Sequence, residues 1–334
     1  MKFKKPLIVI GSTLVFLMLA TFIAFKVSPW PYAMLIRYVF NKEGIKVNQN
    51  LEKRVSKDVS ALLDQQYIPQ DKTAKLDVYY PSSVVGTALT LPVIVWIHGG
   101  GWVAGSKDQM ANYCKILAAK GYTVAAIDYT LAPGGIYPLP LKQTQRSLQY
   151  LMANANRFHI DTNRFILAGD SGGAHIAAQS ANIIYNADYA GLMGIQPVIG
   201  KEKLSGLILY CGPYDTSLVD LSGNFSGFLK AILWAYSGKK DLDTEAFKTA
   251  SVINYISKAY PPTFITVGNA DPLAPQSLAM ARKLTSQGVP VDSLFFNAGY
   301  QPPLPHEYQF NLDTEAGEMA LNRSLKFLKK VTEH

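Results

Sequence analysis

RFILAGDSGGAHIAAQSANIIY, Arg164–Tyr185, decides how this chain is read. Phe165–Ala168 form an apolar run rich in strand formers, and Ala174–Tyr185 carry helical spacing. Between them lies Gly169-Asp170-Ser171-Gly172-Gly173. A strand that turns directly into a helix forces the residue at the apex into strained backbone angles. Small residues two positions either side, here Gly169 and Gly173, let the chain pass itself. Such a turn lifts the Ser171 hydroxyl above a sheet edge and aims a helix N-terminus at it, as a nucleophile requires.

A second glycine run precedes it. PVIVWI (Pro92–Ile97) is a continuous apolar strand of the kind buried on both faces of a parallel sheet, and it enters His98-Gly99-Gly100-Gly101-Trp102. Glycines expose backbone N–H groups, and Gly99 and Gly100 are assigned as donors to a developing oxyanion, with Gly172 N–H completing the hole. Trp102, next to this run, is assigned to substrate binding. No GxGxxG spacing and no Gly-Lys-Ser/Thr follows, which argues against a phosphate loop.

The chain holds five histidines. His98 belongs to the glycine turn, His159 to a polar connection, and His334 to the terminus. His175 lies one helical turn after Ser171, poorly placed to face its hydroxyl. His306, in the loop QPPLPHEY before the last helix, remains as the base. Asp271, at the end of the strand TFITVG, is assigned as the acid that orients it; Asp128 and Asp215 are its rivals. The order is Ser171, Asp271, His306.

Around these motifs the chain alternates strands and helices. Strands are expected at LDVYYP, LPVIVWI, YTVAAIDY, RFILAG, LSGLILYCG, TFITVG and VDSLFF. Helices are expected over Asp108–Lys120, Leu141–Asn154, Ala174–Tyr185, Gln276–Gln287 and Asp313–Val331. Alternation of this kind predicts an α/β fold with a mostly parallel sheet between helical layers. Asp215–Ile256 interrupts it with aromatic-rich, helix-like sequence, read as a cap over the sheet's C-terminal edge.

Leu7–Phe25 carries no charged side chain, and nineteen helical residues rise about 28 Å, close to a bilayer's hydrocarbon thickness. A cleaved signal has a shorter apolar stretch, about 7–15 residues, and a small-x-small site, which is missing here. The segment therefore reads as a single-pass anchor. Lys2, Lys4 and Lys5 before it favour a cytoplasmic N-terminus with the rest outside. Residues 1–27 are assigned to stub and anchor, 28–75 to a helical juxtamembrane or cap segment, and 76–334 to a catalytic domain with its cap around 215–256. Leu51–Leu63 is expected to be helical, with Leu51, Val55, Val59, Leu62 and Leu63 along one face.

Of 334 residues, 49% are hydrophobic and 17% charged, enough for a sizeable core. The formal charge of +8 is scattered and comes without a recognition helix or aromatic-basic stripe, so no nucleic-acid partner is expected. Cys114 and Cys211 form no CxxC pair or Cys/His cluster, so neither a zinc site nor a disulfide framework is indicated.

HGGGW (98–102), DYTLAP (128–133), GDSGG (169–173), DPL (271–273) and the late His306 resemble the hormone-sensitive-lipase-like branch of the α/β-hydrolases, the acetyl-hydrolase and carboxylesterase group. The likeness runs from about Leu76 to Val331. It implies an α/β-hydrolase fold and hydrolysis of short to medium acyl esters without cofactor or metal. The chain departs from that group at Thr130, Gly134, Gly172-Gly173 and Glu307-Tyr308, which bear on substrate preference. Two other readings stand beside simple esters. One keeps the triad but acts on acetylated cell-surface glycans or on amides; the other is a binding module without catalysis, against which the intact serine and histidine argue.

Overall fold

The computed structural model describes residues 4–222, 226–242 and 244–333. Lys2 and His334 lie outside the described residues, as do 223–225 and 243 of the expected cap. Helices α1 (Lys4–Val27) and α2 (Trp30–Leu51) come first, followed by strands β1 (Val59–Gln66), β2 (Lys75–Pro81) and β3 (Leu91–Ile97). Then come α3 (Ala111–Ala118), β4 (Thr123–Ile127), α4 (Leu139–Ala153), β5 (Ile160–Asp170), α5 (Ser171–Tyr185), α6 (Ala187–Met193) and β6 (Leu204–Tyr210). The cap holds α7 (Ser226–Ser237) and α8 (Glu245–Lys248), after which β7 (Thr263–Val267), α9 (Ala274–Ser286), β8 (Val291–Phe295) and α10 (Glu315–Thr332) close the chain.

The eight strands form one sheet in the order β1-β2-β4-β3-β5-β6-β7-β8. β1 and β2 pair antiparallel; from β4 to β8 every neighbour is parallel. Alternate side chains of the central strands enter two apolar layers. Val93, Val95, Leu167, Leu209 and Ile265 face α4, α5 and α9, while Ile94, Trp96, Ala168, Ile208 and Phe264 face α3 and α10. Burial on both faces explains why these strands read as unbroken apolar runs.

One expectation fails. The helix drawn over Leu51–Leu63 does not form: α2 stops at Leu51, and Val59–Gln66 is the antiparallel edge strand β1, registered Val59 to Pro81. The sheet therefore begins before residue 76. Residues of β1 are half-buried or exposed on both faces, so it lacks the alternation that would have marked it. Its apolar positions happen also to fit helical spacing.

α1 contains one stretch, Val9–Val27, long and apolar enough to cross a membrane, with none of it buried. By length and composition a membrane span and a signal sequence both satisfy that description.

Candidate active site

β5 ends at Asp170 and α5 begins at Ser171 with no residue between them. Ser171 takes φ +48°, in the left-handed region that costs a non-glycine residue energy. Only minimal side chains permit the turn. A Cβ on Gly169 would lie 2.6 Å from the carbonyl carbon of Gly173, and one on Gly173 would lie 2.0 Å from the oxygen of Ile97. The result is a buried serine whose Oγ stands at the C-terminal edge of the sheet, reached from the loops after β7 and β8.

Those loops bring Asp271 and His306 to it. His306 Nε2 lies 3.0 Å from Ser171 Oγ, and Nδ1 lies 2.8 Å from Asp271 Oδ2. The other oxygen of Asp271 accepts the N–H of Leu273 at 2.7 Å, which fixes the buried carboxylate. A hydroxyl, an imidazole and a carboxylate thus form one hydrogen-bonded chain, able to move a proton from Oγ to Nε2 while Asp271 holds the ring. The rivals stand elsewhere. Asp128 accepts the backbone N–H of Lys107, and Asp215 caps Ser217.

Of the other histidines, His98 and His175 are buried and pulled down to about 4 by that burial. His98 stacks on Tyr129 and binds the carbonyl of its own Gly99; His175 binds the carbonyl of Ala250. His159 binds the carbonyl of Leu89.

The glycine loop requires a correction. Gly99 N–H already donates to Asp170 Oδ2 at 2.8 Å, so it is not free for an oxyanion. Asp170 also accepts the indole N–H of Trp96 at 2.9 Å and thereby joins the end of β3 to the nucleophile turn. Buried this deeply, its carboxyl is pushed well above the usual range by desolvation and by the nearby Glu307 charge. The next two glycines, Gly100 (φ +94°) and Gly101 (φ +59°), turn the loop, and no hydrogen bond from either N–H is present among the described residues. Gly172, in the first turn of α5, has an N–H without an intrahelical acceptor.

Trp102 differs too from its assignment as a substrate contact. It is buried, its indole N–H donates to the Gly172 carbonyl at 3.1 Å, and its ring stacks on Tyr236 of α7 with centroids 4.3 Å apart. It braces the glycine loop against the nucleophile turn and the cap.

Two neighbours of the imidazole escaped sequence reasoning. Cys211, at φ +42° after β6, places its sulfur with Asp271 and His306 so that their polar atoms lie within 4.8 Å of one another. Both His306 nitrogens are already directed to Asp271 and Ser171, an arrangement for proton transfer rather than for a cation. Glu307 takes the left-handed conformation, φ +59°, which turns its carboxylate back to 3.7 Å from His306 Nε2. Its signal was present in the sequence as the departure at Glu307-Tyr308 from the pattern of the group the chain resembles.

These neighbours set the basicity of His306. Burial of the ring opposes protonation, but Cys211, Asp271 and Glu307 outweigh it, and the pKa stands well above that of an ordinary histidine. Burial pushes the Cys211 thiol up to about 11, so it is neutral at neutral pH, and the two carboxylates carry the effect there.

Fold and site define an α/β-hydrolase of the hormone-sensitive-lipase-like carboxylesterase group, and the comparisons with known proteins agree. A sequence profile of the BD-FAE family matches residues 76–284, and the chain belongs to that family. It is 27% identical over 225 residues to the versiconal hemiacetal acetate esterase of Dothistroma septosporum, covering 65% of this chain and 66% of that one. With carboxylesterase NlhH of Mycobacterium tuberculosis it shares 28% over 268 residues, 76% of this chain and 77% of the relative. Esterase B of Lactobacillus rhamnosis, solved with an inhibitor, superposes with a TM-score of 0.76 at 24% identity, over 90% of this chain and 97% of its own. The protein is a carboxylic ester hydrolase.

Proposed function

We propose that the protein cleaves short to medium acyl esters in two steps through an acyl-enzyme on Ser171. His306 takes the hydroxyl proton as Oγ bonds to the ester carbonyl carbon, and Asp271 holds the ring and steadies the imidazolium. The oxyanion is held by Gly100, Gly101 and Gly172 N–H groups, with Gly101 in the place first assigned to Gly99, whose N–H is bound to Asp170. The carbonyl then re-forms, the C–O bond to the alcohol breaks, and His306 returns its proton to the departing oxygen. A water activated by the same imidazole attacks the acyl carbon, releasing the acid and restoring Ser171.

The observation that carries this reading is the hydrogen-bonded chain from Asp271 through His306 to Ser171 Oγ, at 2.8 and 3.0 Å. The test uses full-length protein, p-nitrophenyl acetate and a fluorophosphonate probe. Ser171→Ala should lose labelling and lower kcat by about 10⁵-fold or more. Equal labelling of the variant and the wild type overturns the assignment.

We further propose that α1 is retained as a single-pass anchor with the catalytic domain on the extracytoplasmic side. Its length and the lysines before it support this. Protease protection in intact cells and in inverted vesicles checks it, and a catalytic domain cleaved only in inverted vesicles would refute it.

A further inference from the structure

Helix α2 follows α1 after Ser28 and Pro29, where proline's missing N–H and its steric restriction of Ser28 break the helix. One face of α2 is bound to the catalytic domain. Ala33 and Ile36 are buried, Arg37 donates to the carbonyls of Val103 (2.7 Å) and Ala132 (3.0 Å), and Asn41 accepts the N–H of Gly105 at 3.0 Å. Phe40 packs on Phe228 of the cap helix α7. The position of α2 is thus tied to the loop that carries Gly100 and Gly101.

The opposite face has another character. At about 100° per residue, Met34, Leu35, Tyr38, Val39 and Ile45 fall within one broad sector with Lys42 and Lys46. All seven are exposed, Tyr38 by 72% and Leu35 by 58%. A helix face turned to water carries charged and polar groups almost throughout; this one is mainly aromatic and aliphatic.

We propose that this face of α2 rests in the headgroup region of the bilayer that α1 spans, so that the cap side of the enzyme lies on lipid. The inference rests on the reading of α1 as a membrane span. Three observations select lipid as the occupant. First, the connection from α1 is two residues long, Phe25 packs on Tyr32 with ring centroids 4.6 Å apart, and Lys240, just beyond α7, donates to the carbonyl of Lys26. The start of α2 and the cap therefore both sit where the chain leaves α1. Second, Trp30, Tyr32 and Tyr38 are the side chains that concentrate at the membrane–water boundary. Third, Lys42 and Lys46 on the face itself, and Lys240 beside the end of α1, suit anionic headgroups. A second copy of the chain fits less well, because two-fold pairing of this face would bring Lys42 and Lys46 against their counterparts.

The test is spin labelling of the full-length chain in phosphatidylethanolamine–phosphatidylglycerol vesicles. Native Cys114 and Cys211 are both buried, so label goes to an introduced cysteine. Leu14→Cys reports on α1, Tyr38→Cys on the proposed face and Lys326→Cys on the exposed side of α10; retained esterase activity verifies folding. The expected result is an oxygen-to-nickel-chelate accessibility ratio several-fold higher at 38 than at 326, with the highest ratio at 14. If 38 matches 326 while 14 lies in lipid, the anchor stands and the inference falls. If 14 is also accessible from water, the anchor reading falls and takes the inference with it. Spin–spin broadening between copies at 38 overturns it in favour of a dimer.

Discussion

Replacing Glu307 with glutamine removes a charge and little else. Its carboxylate oxygen lies 3.7 Å from His306 Nε2, the nitrogen that takes the proton of Ser171 in the proposed mechanism. Two unit charges at that distance interact by about 4 kcal/mol at an effective dielectric of about 20. Both side chains are about a third exposed, 34% and 35%, so water screens most of this, leaving about 1–2 kcal/mol. At about 1.4 kcal/mol per pKa unit, that corresponds to roughly one unit on His306. The sign follows from the chemistry. In the proposed mechanism His306 must be neutral to accept the proton, so a raised pKa makes activity fail sooner as the pH drops. In Glu307→Gln the acidic limb of kcat/KM should move down by roughly one unit. The plateau should fall by up to about tenfold, because the imidazolium that forms in the transition state loses the same neighbour. A pH series of kcat/KM on p-nitrophenyl butyrate, wild type against variant, measures both. An acidic limb that stays in place, or moves up, refutes the electrostatic role; a lower plateau alone would not rescue it.

Two further substitutions test the supports around the site. Trp102→Phe keeps the ring stacked on Tyr236 but removes the indole hydrogen bond to Gly172, worth about 1 kcal/mol. We expect kcat to fall by about fivefold with unchanged acyl-chain preference in an ester-length series; a change in preference instead would make Trp102 a substrate contact. Lys107→Met leaves Asp77 without its 3.0 Å partner, with both side chains at most 4% exposed. An unpaired buried carboxylate should cost about 3–5 kcal/mol in urea denaturation, and unchanged stability would refute the pairing.

What could be read from the sequence depended on whether the signal was local. The central strands are covered on both faces, so their apolar runs stand out, and the glycines flanking Ser171 announce a turn that no larger residue fits. Ser171, His306 and Asp271 could be singled out because each lies in a turn or loop that follows a strand at the same sheet edge. β1 was hidden by its place at the rim, where neither face demands an apolar row. The choice between Gly99 and Gly101 turns on Asp170, which a GxSxG pattern counts as any residue. Only the fold shows that its carboxylate reaches across to the first glycine.

Asp170 and Glu307 belong to one electrostatic design. One carboxyl, that of Asp170, is buried under the glycine loop, where desolvation and the Glu307 charge favour its neutral form while the N–H groups of Trp96 and Gly99 favour its charged one. The other, Glu307, is about a third exposed and lies beside both the imidazole and Gly99, where its negative charge favours protonation of His306. The glycine correction follows from Asp170's reach: it takes the N–H of Gly99, and the N–H groups of Gly100 and Gly101 are the ones left for the oxyanion of the proposed mechanism.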